Sequence, residues 1–278
     1  MKRRDFTLSA TLGVVAAAAV MVGCGKKPAA PAAAASGAAS ASASAAGSTA
    51  LPSVIVVGLD DNFPPMGFKD EKGELVGFDI DLAREAAKRM GIEVKFKPID
   101  WSAKEAELNG RRVDALWNGM TITEERKKNV AFSKPYMVNH QIIVVSAKST
   151  IKTKAELAGK VVGVQDGSSA VDAVTKEEIS KKLKDMKKFA DNVTALTDLS
   201  AGRLDAVVVD EVVGRYLAAK KPGQYHILEE HFGQEEYGVG LRKEDTALLA
   251  KLDAALDAMN ADGSAKAIYA KWFEEAKK

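Results

Sequence analysis

The stretch that decides the fold is 161–169, which reads VVGVQDGSS. A short apolar run passes directly into a polar loop that contains glycine and serine. The same succession occurs at three other places: VIVVGLDDNF at 54–63, DALWNGMT at 114–121 and AVVVDE at 206–211. Short β-branched runs that alternate with helix-like stretches are typical of a mostly parallel α/β sheet. The sequence therefore predicts an α/β fold in which four strands end in polar groups.

The spacing of apolar residues predicts the other elements. Strands are expected at 54–57, 94–96, 113–117, 141–145, 161–164 and 206–209, with an extended stretch at 237–241. Helical segments are expected at 80–90, 103–108, 124–129, 169–179, 193–201 and 211–219, with two closing helices in 245–273. Thr153 and Glu156 have the spacing of a capping box. The basic stretch Lys181–Lys188 is interpreted as a solvated helix face or loop.

The order of these elements predicts a cleft. The α/β pattern runs to about residue 145 and then starts afresh, so two successive units are expected. In open α/β sheets, ligands bind beyond the carboxyl ends of the strands. Two lobes that carry polar groups at those ends are therefore expected to face each other across a cleft.

The polar residues at these strand ends suit a zwitterion. Asp60 and Asp210 can accept hydrogen bonds from an ammonium group, and Arg126 can form two parallel hydrogen bonds to a carboxylate. Other groups that can contribute are the hydroxyl of Thr121, the free amides of the segment Gly167-Ser168-Ser169, the side chains of Asn118 and Gln165, and the rings of Phe63 and Trp101. Each also has a structural interpretation: Ser168 and Ser169 as a helix cap, Arg126 as a surface charge and Trp101 as core.

Composition excludes several classes of protein. The 278 residues carry 40 basic and 38 acidic side chains, a net charge of +2. Beyond residue 23 the charges balance, which argues against broad affinity for nucleic acid or an anionic membrane surface. The single cysteine, Cys24, excludes an intrachain disulfide and a multi-cysteine metal site, and the three histidines lack the spacing of ligands. No metal and no cofactor is expected.

The amino-terminal segment predicts export. Residues 1–23 combine a basic start with an uncharged run, which is typical of a signal peptide. The stretch Val22-Gly23-Cys24 resembles a lipobox, in which the cysteine is lipidated and begins the mature chain. An uncleaved membrane anchor is the alternative. Residues 24–50 are rich in Ala, Ser and Pro and are interpreted as a flexible linker. The protein is therefore expected in the periplasm or cell envelope, anchored to the membrane by lipid.

The motifs taken together resemble the extracellular solute-binding proteins of ABC transporters, family 3, which bind polar amino acids. The resemblance covers about 53–273 and rests on the segments 58–68, 77–83, 114–126, 132–136, 162–169, 202–211 and 236–240. It implies a two-lobed fold of the type II periplasmic-binding-protein class, with mixed sheets, a central cleft and two hinge strands around 136–140 and 234–238. It also implies that lobe 1 comprises 51–137 and 237–278, and that lobe 2, 138–236, is inserted between them.

The resemblance also implies a role for each site residue. Arg126 would hold the ligand's α-carboxylate with Thr121 and the amides near Ser168 and Ser169. Asp210 would hold the α-ammonium with the carbonyl of Gly119. Phe63 and Trp101 would lie on either side of the ligand's side chain, with Asp60 nearby. The implied partners are a free L-amino acid and a transmembrane permease with its ATPase; no nucleic acid partner is expected, and the protein is expected to be a monomer and not an enzyme.

The identity of the amino acid stays open at this point. Asn118 and Gln165 favour a polar, uncharged side chain, whereas Asp60 with Asp61 would suit a basic one. Two other functions remain as alternatives. One is a dehydratase-like enzyme on the same fold, acting on prephenate or arogenate, which would need an acid or base aimed at the ligand. The other is a ligand-sensing module for a separate receptor.

Overall fold

The computed structural model describes residues 51–274. The predictions of a signal peptide at 1–23, a lipidated Cys24 and a linker at 24–50 lie outside the described residues. Within the described range, no helix combines the length and the apolar character needed to cross a membrane.

The described residues form thirteen strands and seven α-helices. The strands are β1 Val54–Leu59, β2 Asn62–Phe63, β3 Gly67–Lys69, β4 Leu75–Val76, β5 Glu93–Pro98, β6 Ala115–Leu116, β7 Ala131–Phe132, β8 Met137–Ser146, β9 Val161–Gln165, β10 Asp185–Phe189, β11 Ala206–Asp210, β12 Tyr225–Tyr237 and β13 Gly240–Leu241. The α-helices are α1 Phe78–Met90, α2 Lys104–Asn109, α3 Ser169–Thr175, α4 Asn192–Ser200, α5 Glu211–Lys220, α6 Thr246–Ala261 and α7 Ser264–Tyr269. Shorter helical turns lie at Trp101–Ala103, Arg126–Lys128, Lys154–Leu157, Glu178–Lys182 and Ala270–Glu274.

Two five-stranded mixed sheets form the two lobes. The sheet of lobe 1 has the order β5-β1-β6-β13-β7, in which β1 runs parallel to β5 and β6 while β13 runs antiparallel to β6 and β7. The sheet of lobe 2 has the order β10-β9-β11-β8-β12, in which β9, β10 and β11 are parallel and β8 runs antiparallel to both β11 and β12. A small sheet of β2, β3 and β4 follows β1.

Apolar side chains cover both faces of the central strands, which is why these strands are nearly continuous hydrophobic runs. In β11 the residues Ala206 to Val209 are fully buried. On one face of the lobe 2 sheet Val208 belongs to the same apolar cluster as Leu157, and on the other face Val209 belongs to the same cluster as Leu196. Burial of a side chain of this size contributes roughly 1.5–3 kcal/mol, so these faces hold the strand ends in fixed positions.

Strands β8 and β12 connect the two sheets. They pair in antiparallel register from Tyr225 opposite Ser146 to Tyr237 opposite Met137. Beyond Tyr237 the chain continues into β13 of lobe 1, and β8 follows β7 of lobe 1. The predicted α/β class, with two lobes, mixed sheets and a cleft between them, is confirmed.

One local prediction was wrong in part. The stretch Lys181–Lys188 was interpreted as a helix face or loop, which is correct for its first half, at the end of the helical turn Glu178–Lys182; its second half belongs to β10, the edge strand of lobe 2. Charged side chains on an edge strand prevent pairing with another sheet, and here they obscure the alternation that identifies a strand. The capping box of Thr153 and Glu156 is confirmed.

Candidate functional site

The carboxyl ends of β1, β6, β9 and β11 bring the predicted site residues to the boundary between the lobes. A cavity of about 10 Å³ lies there. Ten of the eleven predicted ligand-binding residues line it: Phe63, Trp101, Asn118, Gly119, Thr121, Arg126, Gln165, Ser168, Ser169 and Asp210. The eleventh, Asp60, does not line the cavity but accepts a hydrogen bond from Gln165, which does. The lobes are therefore in contact around one small polar chamber.

Arg126 is a buried cation at this chamber. Arg126 begins a short helical turn. Its side chain is held by two backbone carbonyls, with Nη1 2.9 Å from the oxygen of Thr121 and Nη2 3.1 Å from that of Gly167. The surface-charge interpretation of Arg126 was wrong, since the residue is only 7% exposed. Burial lowers the pKa of Arg126. A guanidinium has five N–H donors, so this one retains donors for an anion.

Asp210 is a buried acid on the opposite lobe, at the end of β11. Its Oδ1 accepts hydrogen bonds from Asn139 Nδ2 at 2.9 Å, from Gln141 Nε2 at 2.9 Å and from the hydroxyl of Tyr237 at 2.7 Å. Burial raises the pKa of Asp210, and the nearby carboxylate of Glu235 raises it further. A cation placed against Asp210 would stabilise its ionised form.

The loop before α3 carries the two predicted serines. Gly167 has φ +70°, and a Cβ there would lie 2.8 Å from Ser102 Cα, so only glycine fits this approach of the lobes. The hydroxyl of Ser168 donates to the carbonyl of Gln165 at 2.8 Å and does not cap α3. The Oγ of Ser169 lies 3.0 Å from Thr121 Oγ1 on the other lobe. Ser169 thus faces the chamber.

Asp60 links the lobes at another end of the chamber. Its Oδ2 accepts from Gln165 Nε2 at 2.7 Å, and its Oδ1 accepts from the backbone amide of Asn62 at 2.9 Å. Burial raises the pKa of Asp60 to about 6, and the carboxylates of Asp191 and Asp61 contribute to the increase. This carboxyl group is thus able to accept hydrogen bonds from a polar side chain of a ligand. The rings of Phe63 and Trp101 are both buried against the cavity.

The structure adds polar residues that the sequence did not single out. Glu235 in β12 reaches the chamber, and its Oε1 accepts hydrogen bonds from both lobes. Asn139 and Gln141 in β8 bind Asp210; their spacing of two on a buried strand was a signal that both point to one side. Lys104 in α2 is 4% exposed, and burial lowers its pKa to about 8.

Asp79 supports the chamber from behind. It lies in the first turn of α1, where acidic residues stabilise the helix dipole, but its side chain also makes specific contacts. Its Oδ2 accepts from the amide of Gly119 at 2.7 Å and from the hydroxyl of Tyr136 at 3.1 Å. Burial raises the pKa of Asp79 to about 7. The residue therefore fixes the loop that follows β6.

Comparisons with known proteins identify the fold. An ancestral arginine-binding protein bound to arginine has a TM-score of 0.76 at 43% identity, covering 80% of this chain and 99% of that one. A substrate-binding protein of an ABC uptake transporter from Streptococcus pneumoniae, with bound histidine, has a TM-score of 0.77 at 36% identity, covering 80% and 93%. The fold is thus that of the type II periplasmic binding proteins.

Sequence comparisons place the chain in a family. The L-cystine-binding protein TcyJ of Escherichia coli (strain K12) is 34% identical over 223 residues, which make up 79% of this chain and 82% of that protein. The lysine/arginine/ornithine-binding periplasmic protein of the same organism is 34% identical over 234 residues, 81% and 89% of the two chains. The family model of the bacterial extracellular solute-binding proteins, family 3, matches residues 55–275. The chain belongs to this family, and it is a binding protein rather than an enzyme.

Proposed function

We propose that the protein is the substrate-binding component of an ABC transporter and captures a free polar L-amino acid between its lobes. The observation that carries this proposal is the pair Arg126 and Asp210. These opposite charges are both nearly fully buried, belong to different lobes and line the same chamber. An α-amino acid presents the two complementary charges a few ångströms apart.

The proposed contacts divide the ligand's backbone between the lobes. Arg126 and Thr121 hold the carboxylate from lobe 1, and Ser169 with the amides near Ser168 holds it from lobe 2. Asp210 holds the ammonium together with the carbonyl of Gly119. Only the closed form makes all of these contacts, so binding favours closure. We propose that the permease of the transporter recognises this closed form.

The ligand's side chain is proposed to lie between Phe63 and Trp101, with Asp60, Asn118 and Gln165 at its polar end. Three of the relatives described above are named for cystine, for lysine, arginine and ornithine, and for arginine, and the fourth has histidine bound. The buried carboxyl group of Asp60 supports a side chain that offers an N–H donor. We therefore propose a polar amino acid with an amide, imidazole or cationic side chain.

The proposed organisation follows the sequence. Lobe 1 comprises 51–137 and 237–278, lobe 2 comprises 138–236, and the exported monomer is tethered by a lipid on Cys24 after removal of residues 1–23. The change Cys24→Ser tests the tether. We expect mass spectrometry to find a lipid on Cys24 at the amino terminus of the mature wild-type protein and none on the variant; an unmodified Cys24 in the wild-type protein would contradict the lipid anchor.

Thermal unfolding with a panel of ligands tests the proposed function. The panel contains the common L-amino acids, cystine and ornithine, each beside its D-enantiomer. A ligand at 100 times its Kd adds about 2.7 kcal/mol to the free energy of unfolding. For a body of this size the midpoint should rise by about 5–11 °C. A midpoint that no member of the panel changes would contradict amino acid binding.

A further inference from the structure

The carboxylate of Glu235 is already engaged with the groups assigned to the ligand. Its Oε1 accepts a hydrogen bond from Thr121 Oγ1 at 3.0 Å and lies 3.2 Å from Ser169 Oγ. The same oxygen accepts from Asn139 Nδ2 and from Gln141 Nε2, each at 2.7 Å. One side chain of β12 thus contacts the hydroxyls of both lobes and the two amides that also bind Asp210.

A count of protons shows that these contacts compete with a ligand. A hydroxyl group has one proton to donate. If the single protons of Thr121 and Ser169 point to Glu235, neither is available to another carboxylate. The two hydroxyls also lie 3.0 Å apart, so a hydrogen bond between them uses one of the same protons. The ligand's α-carboxylate and the Glu235 carboxylate therefore require the same two donors.

Charge acts in the same direction. The Arg126 guanidinium lies near Glu235, whose carboxylate interacts favourably with it. A second anion brought to Arg126 would meet the negative charge of Glu235 in a site where water screens little. The hydrogen bonds of a charged acceptor are also about twice as strong as those of a neutral one.

We propose that Glu235 is an internal competitor that lowers the protein's affinity for its ligand. Its carboxylate accepts the hydrogen bonds of the Thr121 and Ser169 hydroxyls in the α-carboxylate subsite. An amino acid binds when these hydroxyls donate to its own carboxylate instead. This inference rests on the proposed function, because it needs an α-carboxylate at Arg126, Thr121 and Ser169. A moderate affinity would suit a binding protein that must also release its ligand to the permease.

The test compares E235Q with the wild-type protein by isothermal titration calorimetry. The probes are L-arginine and agmatine, its decarboxylated amine, or L-histidine and histamine if the panel selects histidine. Glutamine keeps the side-chain length but removes the charge, so E235Q should bind the amino acid about tenfold more tightly. The amine has no carboxylate to compete. Loss of the Glu235 charge also lowers the pKa of Asp210, but that change acts on both probes, so the amino acid should gain affinity relative to the amine.

Every outcome bears on the inference. If E235Q binds the amino acid no more tightly than the wild type does, or if the amine gains equally, Glu235 is not a competitor. If the wild-type protein binds no amino acid at all, the proposed function fails and the inference fails with it. If E235Q does not fold, E235D provides the test: it keeps the charge but withdraws it by one methylene from both hydroxyls, and it should also bind the amino acid more tightly.

Discussion

Strand β11 passes from an apolar interior to a charged one. Ala206 to Val209 are fully buried among aliphatic side chains, and the next residue, Asp210, is only 4% exposed. Burial of the aliphatic part stabilises the fold, whereas burial of a carboxylate costs free energy unless a partner compensates for it. Buried charged residues at the strand ends therefore contribute little to the stability of the fold. We interpret them as parts of a binding site. Substitutions in the core should therefore mainly lower the free energy of unfolding, whereas substitutions in the chamber should mainly lower the affinity for the ligand.

The largest expected effect is on binding and follows from Arg126→Ala. This change removes the cation proposed to hold the α-carboxylate. Loss of one partner of a buried charge pair costs about 3–5 kcal/mol, which corresponds to at least a hundredfold loss of affinity. Calorimetry with the panel's best ligand measures it, and circular dichroism checks the fold.

Arg126→Lys is the matched control for this change. Lysine keeps the charge but cannot form two parallel hydrogen bonds, so its affinity should lie between those of wild type and alanine variant. Normal binding by Arg126→Ala would show that the carboxylate is held elsewhere.

The converse change is Leu157→Ala in the core of lobe 2. Leu157 is fully buried and belongs to the same apolar cluster as Val208 of β11. Removal of such a side chain leaves a cavity and should lower the free energy of unfolding by about 2–5 kcal/mol. Ligand affinity should stay within about threefold, because no chamber residue is altered. Urea unfolding and calorimetry measure the two quantities; a large loss of affinity would contradict the separation of core and chamber.

A smaller effect is expected on the pH dependence of stability, through Asp79. Burial raises its pKa from 3.8 to about 7. The folded protein thus holds a proton that the unfolded chain has released, so this contribution to stability is complete below about pH 4 and is lost as the pH rises through 7. Between pH 5 and 8 the wild-type protein should lose about 2 kcal/mol more than Asp79→Asn. Parallel urea-unfolding profiles would contradict the raised pKa.

The smallest effect concerns closure. Asn62 Nδ2 donates to Asp191 Oδ1 on the other lobe at 2.8 Å, and neither residue lines the cavity. Asn62→Ala should weaken ligand binding about fivefold, because the closed form loses a hydrogen bond worth about 1 kcal/mol. Stability without ligand should change by less than about 0.5 kcal/mol. An affinity equal to that of the wild type would show that this contact does not support closure.

The sequence predicts much of the chamber because strand ends are local features. A run such as AVVVDE indicates both that the strand is buried and that its end is acidic. Four runs of this kind identify the strand-end residues Asp60, Asn118, Gln165 and Asp210. Side chains that reach the site through pairing between distant segments are not identified by a local sequence pattern. Glu235 reaches the site because β12 pairs with β8. Lys104 reaches it from α2 of lobe 1, where its Nζ donates a hydrogen bond to the carbonyl oxygen of Gly167 of lobe 2 at 2.7 Å.

A crystal structure of the protein with the amino acid that binds most tightly in the panel tests the central claim most directly. We expect the ligand's carboxylate within 3.2 Å of the Arg126 guanidinium, at ordinary hydrogen-bond distance, and its ammonium against the carboxylate of Asp210. The Glu235 side chain should have left the hydroxyls of Thr121 and Ser169. A ligand bound outside the chamber, or with its two charged ends reversed, would contradict the account.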